Sequence, residues 1–504
     1  MERKIVSCIV KCAAFLALTG VILWNIFLGL LRNSDSSFER VLDFAKLPAD
    51  TTDVLFIGSS HVYYGISPSV LWERQGIAGY NVSSAGQNIQ TAYFDLREAL
   101  KTQAPRLIVM DMFVPAYNAA AEEPAKISPR GALGQFSPIL QLQRVAAIPE
   151  LSLNERIAYY LQYPVVHDQY GKLPAAAPFV TVPSFHPKGE VYNQANAAVR
   201  YGAESYIDAA GVTARTPLSG DEDEYLRKIA ALCQERGLPL LLISTPYPGA
   251  DGLDASHRGF YKCKHQEIYN TIGDTAQELG VPYVNFDPLH TEIGLDPAWD
   301  FIDYHHLSYS GMDKFSTYLG AYLKANYDLP DRRGDAAYAG YDDAAAEWER
   351  FLSQQNLRLE SGLAAYCDRL TKLPGGHSIV ISKGGTEALP PGVRESLAAL
   401  GVTSDMYDSA ETGGGAFAFS KGKMQFWSEG KASYACHLLL NKSGVELTDG
   451  ASVKFNGTEY QTQPGGVAIL VYDDESDELV DAVNYAPVDG TLTHTAPTMQ
   501  PGSF

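Results

Sequence analysis

Short, mostly apolar runs set far apart along the chain constrain its fold more than any other feature. They are Asp53-Val54-Leu55-Phe56-Ile57, Gly79-Tyr80-Asn81-Val82-Ser83, Leu107-Ile108-Val109-Met110-Asp111-Met112, Pro239-Leu240-Leu241-Leu242-Ile243-Ser244 and Tyr283-Val284-Asn285-Phe286. Runs this short and this continuous read as strands buried on both faces, not as helices or half-exposed strands. Helical stretches at 91–102, 222–236 and 265–279 separate them. The alternation predicts an α/β fold, a three-layer α/β/α domain with a parallel sheet over about residues 50–330. Residues 33–50 read as a linker and amphipathic helix leading into it. An insertion at about 130–218, rich in Tyr, Pro and Ala, interrupts the rhythm. Such an insertion either shapes the site at the strand ends or packs on the edge of the core.

The first run stops at Gly58-Ser59-Ser60-His61, which places Ser60 just past the carboxyl edge of a strand, where α/β sheets hold their ligands. A serine hydroxyl is a poor nucleophile until a base takes its proton. Asp303-Tyr304-His305-His306 offers that base in His306, with Asp303 three residues earlier to orient the ring. The segment 308–325 has helical apolar spacing, so His306 is expected in the loop entering a helix. Backbone N–H groups of Ser60 and Gly86, with the Asn88 side chain, are the expected oxyanion donors. Gly86 and Asn88 belong to Ser83-Ser84-Ala85-Gly86-Gln87-Asn88, which follows the second run.

Other readings of these residues stay open in the sequence. Asp287 and His290 lie at a later strand end and can replace Asp303 and His306. Asp303, His305 and His306 can instead be metal ligands, although no distant third ligand motif accompanies them. His61 and His305 read as neighbours of the site, and Asp111 as a loop cap or substrate-side polar group. No phosphate-cradling glycine loop is present, so neither a metal nor a nucleotide cofactor is implied.

Composition narrows the class of partner. The 504 residues carry 39 basic and 59 acidic side chains, a net charge of -20, which disfavours nucleic-acid binding because that needs basic surface. The six cysteines show no zinc spacing and no pairing that sequence can assign. At the N-terminus, Arg3 and Lys4 precede an apolar stretch reaching Leu31, uninterrupted from Cys12. That length matches the roughly 20 residues a bilayer requires and exceeds a usual signal peptide. Residues 1–32 are therefore expected to be a retained single-pass anchor, N-terminus cytoplasmic and body extracytoplasmic.

Asp331-Arg332-Arg333-Gly334-Asp335 reads as a boundary between a domain at 33–330 and an α+β accessory domain at 331–504. A helix at 344–370 is expected there, then strands with hairpins at Asn456-Gly457 and across Asp473-Asp474-Glu475-Ser476-Asp477.

Gly58-Ser59-Ser60, Gly86 and Asp303-x-x-His306 resemble the SGNH hydrolase superfamily. The nearer likeness is to its membrane-anchored O-acyltransferase-like variants, the alginate O-acetylation proteins and the D-alanine transfer protein of teichoic acid synthesis. In those variants Gly-Asp-Ser becomes Gly-Ser-Ser and the second serine is the nucleophile, which maps the triad to Ser60, Asp303 and His306. This chain departs from the superfamily in lacking a Gly-x-Asn-Asp block for the third oxyanion donor, leaving that role to Asn88 or Asn118. More faintly, Leu373-Pro374-Gly375-Gly376-His377-Ser378-Ile379-Val380 and Val453-Lys454-Phe455-Asn456-Gly457 with Gly465-Gly466-Val467 resemble a circularly permuted panderin-like (interleukin-like inducer) domain, which would imply carbohydrate binding. The resemblance implies transfer or removal of an O-linked acyl group on a cell-surface or exported polysaccharide, with a membrane-bound acyl-donor protein as partner. A non-catalytic scaffold or glycan-binding protein on the same fold is the alternative.

Overall fold

The computed structural model describes residues 2–32, 37–120, 187–192, 206–249, 260–385 and most of 387–495, with isolated positions between 146 and 157. The chain forms two compact units, residues 1–345 and 346–504. Most of the expected insertion, and the Asn456-Gly457 turn, lie outside the described residues.

In the first unit, strands β1 (Val54–Gly58), β2 (Gly79–Ser83), β3 (Leu107–Asp111), β4 (Leu240–Ser244) and β5 (Tyr283–Asn285) form one sheet in the order β2-β1-β3-β4-β5. Every neighbouring pair is parallel. Alternate residues of these strands face opposite sides, as the two-residue repeat of a strand demands. Leu55, Ile57, Ile108, Met110 and Leu242 enter one apolar cluster with α5 (Ile89–Ala99), α7 (Gly220–Arg236) and α8 (Phe260–Leu279). Val54, Phe56, Val109, Leu241 and Ile243 enter the other, with α4 (Pro68–Gln75) and α10 (Tyr309–Asn326). Both faces are covered, which is why β1, β3 and β4 are apolar along most of their length, while the buried Asn81 of β2 donates to the Ile66 carbonyl at 2.8 Å.

The helix ends are written locally. Ser219 and Glu222 close a capping box at the start of α7, and Gly237 ends that helix in the left-handed conformation. Ser67 caps α4 through the Val70 N–H, and Ser308 caps α10 through the Gly311 N–H.

The N-terminal segment is a single helix, α1 (Glu2–Arg32), followed by α2 (Ser37–Lys46). The expected membrane anchor is not supported: among the described residues no helix is long and apolar enough to cross a membrane. Within α1 the described side chains are those of residues 7–23, and the apolar stretch from Cys12 to Leu31 runs beyond them.

The division between units falls after the charged segment at 331–335, because that segment is bonded into the first unit. Arg332 holds Asp53 at 2.9 and 3.0 Å, and Arg333 donates to the Glu73 carbonyl at 2.9 Å. The helix expected at 344–370 is broken in two, α11 (Ala339–Arg358) and α12 (Leu363–Thr371), with Gly362 at the start of the second. The second unit is strand-rich. Its larger sheet, entirely antiparallel, has the order β15 (Thr491–Thr495), β14 (Glu478–Val488), β13 (Val467–Asp473), β6 (His377–Lys383), β7 (Gly415–Ser420), β8 (Lys423–Trp427). One face packs on α12, α13 (Val393–Ala398) and α14 (Ser404–Gly413). The other face packs on a smaller sheet containing β10 (Ser443–Thr448), β11 (Ser452–Phe455) and β12 (Thr458–Gln461). The strands on either side of both expected hairpin turns are paired antiparallel.

Candidate active site

Strand order decides where a site can form. The chain crosses from β1 to β2 on one side and continues through β3, β4 and β5 on the other, so the crevice at the carboxyl ends of β1 and β3 is the topological switch point. Gly58 ends β1 there with φ +153°, and a Cβ on it would meet Val62 Cγ2 at 2.7 Å and Asp111 Cβ at 3.1 Å. Only glycine lets the chain turn that tightly into the short helix α3 (Ser60–Tyr63), whose first residue is Ser60.

His306 meets Ser60 from the far end of the domain. Its Nε2 lies 2.7 Å from Ser60 Oγ, and its Nδ1 lies 2.7 Å from Asp303 Oδ2 and 3.0 Å from Oδ1. A carboxylate only accepts, so Nδ1 carries the hydrogen and Nε2 is left to take the serine proton. Asp303 Oδ1 also accepts the backbone N–H groups of His305 at 2.7 Å and His306 at 2.8 Å. Burial pushes the Asp303 carboxyl up, but the hydrogen bond and charge of His306 and the two backbone donors outweigh it. The result lies below the usual carboxylate range, so Asp303 is ionised.

The loop bearing these residues is held by a side chain outside every motif, Asp300. Asp300, fully buried, accepts from the Asp296 N–H at 2.6 Å, Ser310 Oγ at 2.7 Å and Lys314 Nζ at 2.6 Å. Ser310 and Lys314 lie in α10, so Asp300 ties the loop to that helix. The Phe301–Leu307 bridge and the bond from the Ile302 N–H to the His306 carbonyl close the loop. Asp300, at the end of Asp296-Pro297-Ala298-Trp299-Asp300, belongs to no motif, so no local signal marks it.

Asp287 and His290 form no second relay. Asp287 Oδ1 accepts from Lys262 Nζ at 2.5 Å, Tyr206 OH at 2.8 Å and the Tyr247 N–H at 3.2 Å, while His290 stacks on Tyr206 at 3.7 Å. The Lys262–Asp287 pair is buried, and Lys262 also donates to the Tyr247 carbonyl and lies 3.5 Å from the centre of the Tyr247 ring. Asp111 is a cap: it accepts from the Phe113 N–H at 3.1 Å, the Thr245 N–H at 3.1 Å and Thr245 Oγ1 at 2.9 Å. Burial raises its carboxyl to about 6.

Of the expected oxyanion donors, Gly86 sits in a turn after β2 at φ +58°. Asn88 caps α5, its Oδ1 accepting from the Thr91 N–H at 2.9 Å. That bond commits the oxygen and leaves the buried Asn88 Nδ2 without a partner among the described residues. The side chain of Asn118 lies outside the described residues. Among the described residues no group of three or more His, Cys, Asp or Glu has the arrangement to hold a metal ion.

Fold and site together define a class: a parallel α/β domain with a serine–histidine–aspartate hydrogen-bond chain at the carboxyl ends of its strands, an arrangement suited to acyl transfer through serine. No family profile matches the chain, and no curated protein matches it. Solved structures similar to it include a GDSL-like lipase from Bacteroides thetaiotaomicron, at 12% identity over 57% of this chain and 98% of that one, with a TM-score of 0.29. An acetylxylan esterase from Geobacillus stearothermophilus is 12% identical over 56% of this chain and 96% of its own, with a TM-score of 0.28. A lipase/acylhydrolase from Enterococcus faecalis is 12% identical over 55% and 98%, with a TM-score of 0.27. At such low scores, the fold and the site stand on the geometry above.

Proposed function

We propose that this protein is a serine-dependent O-acyl enzyme, an SGNH-type esterase or acyltransferase acting on a cell-surface or exported polysaccharide. One observation carries the reading: Ser60 Oγ, both His306 nitrogens and the Asp303 carboxylate form an unbroken chain with 2.7 Å at each link. Ser60 attacks the ester carbonyl while His306 takes its proton, and His306 then returns that proton to the leaving alkoxide. The acyl group rests on Ser60 as an ester. Water as the second acceptor gives an esterase; a sugar hydroxyl gives a transferase.

The resemblance to membrane-anchored acyl-transfer proteins favours an extracytoplasmic body, a polysaccharide acceptor and a membrane-bound acyl donor. The exposed apolar side chains Phe15, Leu16, Leu18 and Val21 of α1 support attachment of that helix to a lipid surface. The second unit serves as a glycan-binding accessory in this reading.

The test is a pre-steady-state burst with p-nitrophenyl acetate, followed by intact mass, on the full chain and on Ser60→Ala. An acetyl adduct in the parent protein that is lost in Ser60→Ala is expected. Equal turnover by the two proteins, or an adduct mapped elsewhere, would overturn the assignment.

A further inference from the structure

The residue next to Ser60 in the chain is an unexplained buried polar group. The His61 side chain is 2% exposed, and neither ring nitrogen has a hydrogen-bond partner among the described residues. Buried polar atoms without partners cost stability and are rare in native folds, so a pair of them on one ring calls for a reason. The ring is also held in place. It stacks on Phe113 with centroids 3.5 Å apart and planes 16° apart, and the Tyr247 ring meets it edge-on at 5.8 Å. Phe113 begins α6 (Phe113–Ala120), directly after β3. His61 therefore links the end of β1 to the end of β3 at the switch point, with its ring centre 5.4 Å from that of His306.

Its surroundings fix its charge as well. Burial, then the neighbouring His306, His305, His265 and Lys262, hold His61 well below the usual imidazole range, so it is neutral. A neutral imidazole keeps one N–H donor and can polarise a carbonyl oxygen without surrendering its proton.

We propose that His61 is a second catalytic imidazole, whose ring N–H donates to the oxyanion formed when Ser60 attacks an ester carbonyl. The inference rests on Ser60 being the acyl-accepting nucleophile. As the Ser60 Oγ–carbon bond forms, the serine proton passes to His306 Nε2 and the carbonyl π pair moves onto oxygen. The His61 N–H bonds to that oxygen and transfers nothing. On collapse the π bond re-forms, the bond to the leaving oxygen breaks, and that oxygen takes the proton from His306. His61 thereby supplies, from beside the nucleophile, a donor in a chain that lacks the Gly-x-Asn-Asp block.

The experiment uses the full chain, p-nitrophenyl acetate and stopped flow, with thermal melts of each variant. His61→Phe keeps an aromatic ring against Phe113 and removes the donor; His61→Gln restores one; His61→Leu removes it with a different shape. Loss of one oxyanion donor lowers the acylation rate by about 10²–10³-fold. That loss is expected in His61→Phe and His61→Leu with half-saturation unchanged, and partial recovery in His61→Gln. The melting temperature of His61→Phe should equal or exceed the parent's, because orphaned nitrogens are gone. Acylation of either donor-less variant within threefold of the parent would overturn the proposal. So would equal slowing of all three variants in step with lowered melting temperatures, which is the mark of packing alone. A parent protein that forms no adduct at Ser60 would instead sink the nucleophile assignment, and His61 would fall with it.

Discussion

Replacing Asp303 by Asn tests the direction of the proton relay with little disturbance to the fold. The amide oxygen can still accept the His305 and His306 backbone N–H groups that Asp303 Oδ1 accepts at 2.7 and 2.8 Å. The amide nitrogen then faces His306 Nδ1, which lies 2.7 Å from the present Asp303 Oδ2, and a donor there obliges Nδ1 to give up its hydrogen. The ring's single proton moves to Nε2, 2.7 Å from Ser60 Oγ, where it opposes the serine hydroxyl instead of receiving its proton. A wrong-tautomer histidine of this kind costs about 10⁴ in kcat in serine enzymes, or about 5 kcal/mol of barrier at 1.36 kcal/mol per tenfold. Because the Asp303 side chain is 42% exposed, its loss should barely move the melting temperature. The assay is the acylation rate with p-nitrophenyl acetate across pH 5–9, with a thermal melt on the same samples. A folded Asp303→Asn protein within tenfold of the parent at every pH would refute the relay, whatever the distances.

Two further outcomes follow from buried charge. Glu190 is fully buried against Ser69, and burial raises its carboxyl from 4.5 to about 7, so the folded state holds a proton that the unfolded chain has lost between those values. Stability from this group is therefore full below pH 4.5 and declines as pH rises toward and through 7, and Glu190→Gln should flatten that decline in melts taken from pH 5 to 8. Asp287→Asn leaves Lys262 buried without its carboxylate and should cost about 3–5 kcal/mol in urea unfolding, whereas the double variant Lys262→Met, Asp287→Leu should cost much less than the sum of the single variants.

The sheet was readable in the sequence because strands buried on both faces are mostly apolar, and β1 to β4 lie where those runs are. Their order was not readable, since nothing in Leu240–Ser244 says that it joins β3 and not β2. Ser60, Asp303 and His306 carried a visible signal because reactive side chains at a strand end and before a helix stand out against apolar flanks. Asp300 and the Lys262–Asp287 pair carried none: charges are ordinary on helices and loops, and only burial makes these exceptional. Asp287 resembled a triad member for the same reason, its partner Lys262 lying on a helix 25 residues earlier. The helix expected at 344–370 ends at Arg358 and resumes at Leu363, a break that no proline between them marks in the sequence.

The bond between His306 and Ser60 spans 246 residues of chain. At about 5–20 residues per second of synthesis, roughly 12–50 s pass between the making of the serine and of its base. Throughout that interval the hydroxyl has no proton acceptor from this loop, so the growing chain is chemically silent toward esters. The hydrogen-bond chain is complete only once the loop carrying Asp303 and His306, and α10 behind it, have packed against the sheet. Under the proposed function, a nucleophile that arms itself only on completion would spare the acyl donor until the domain is built.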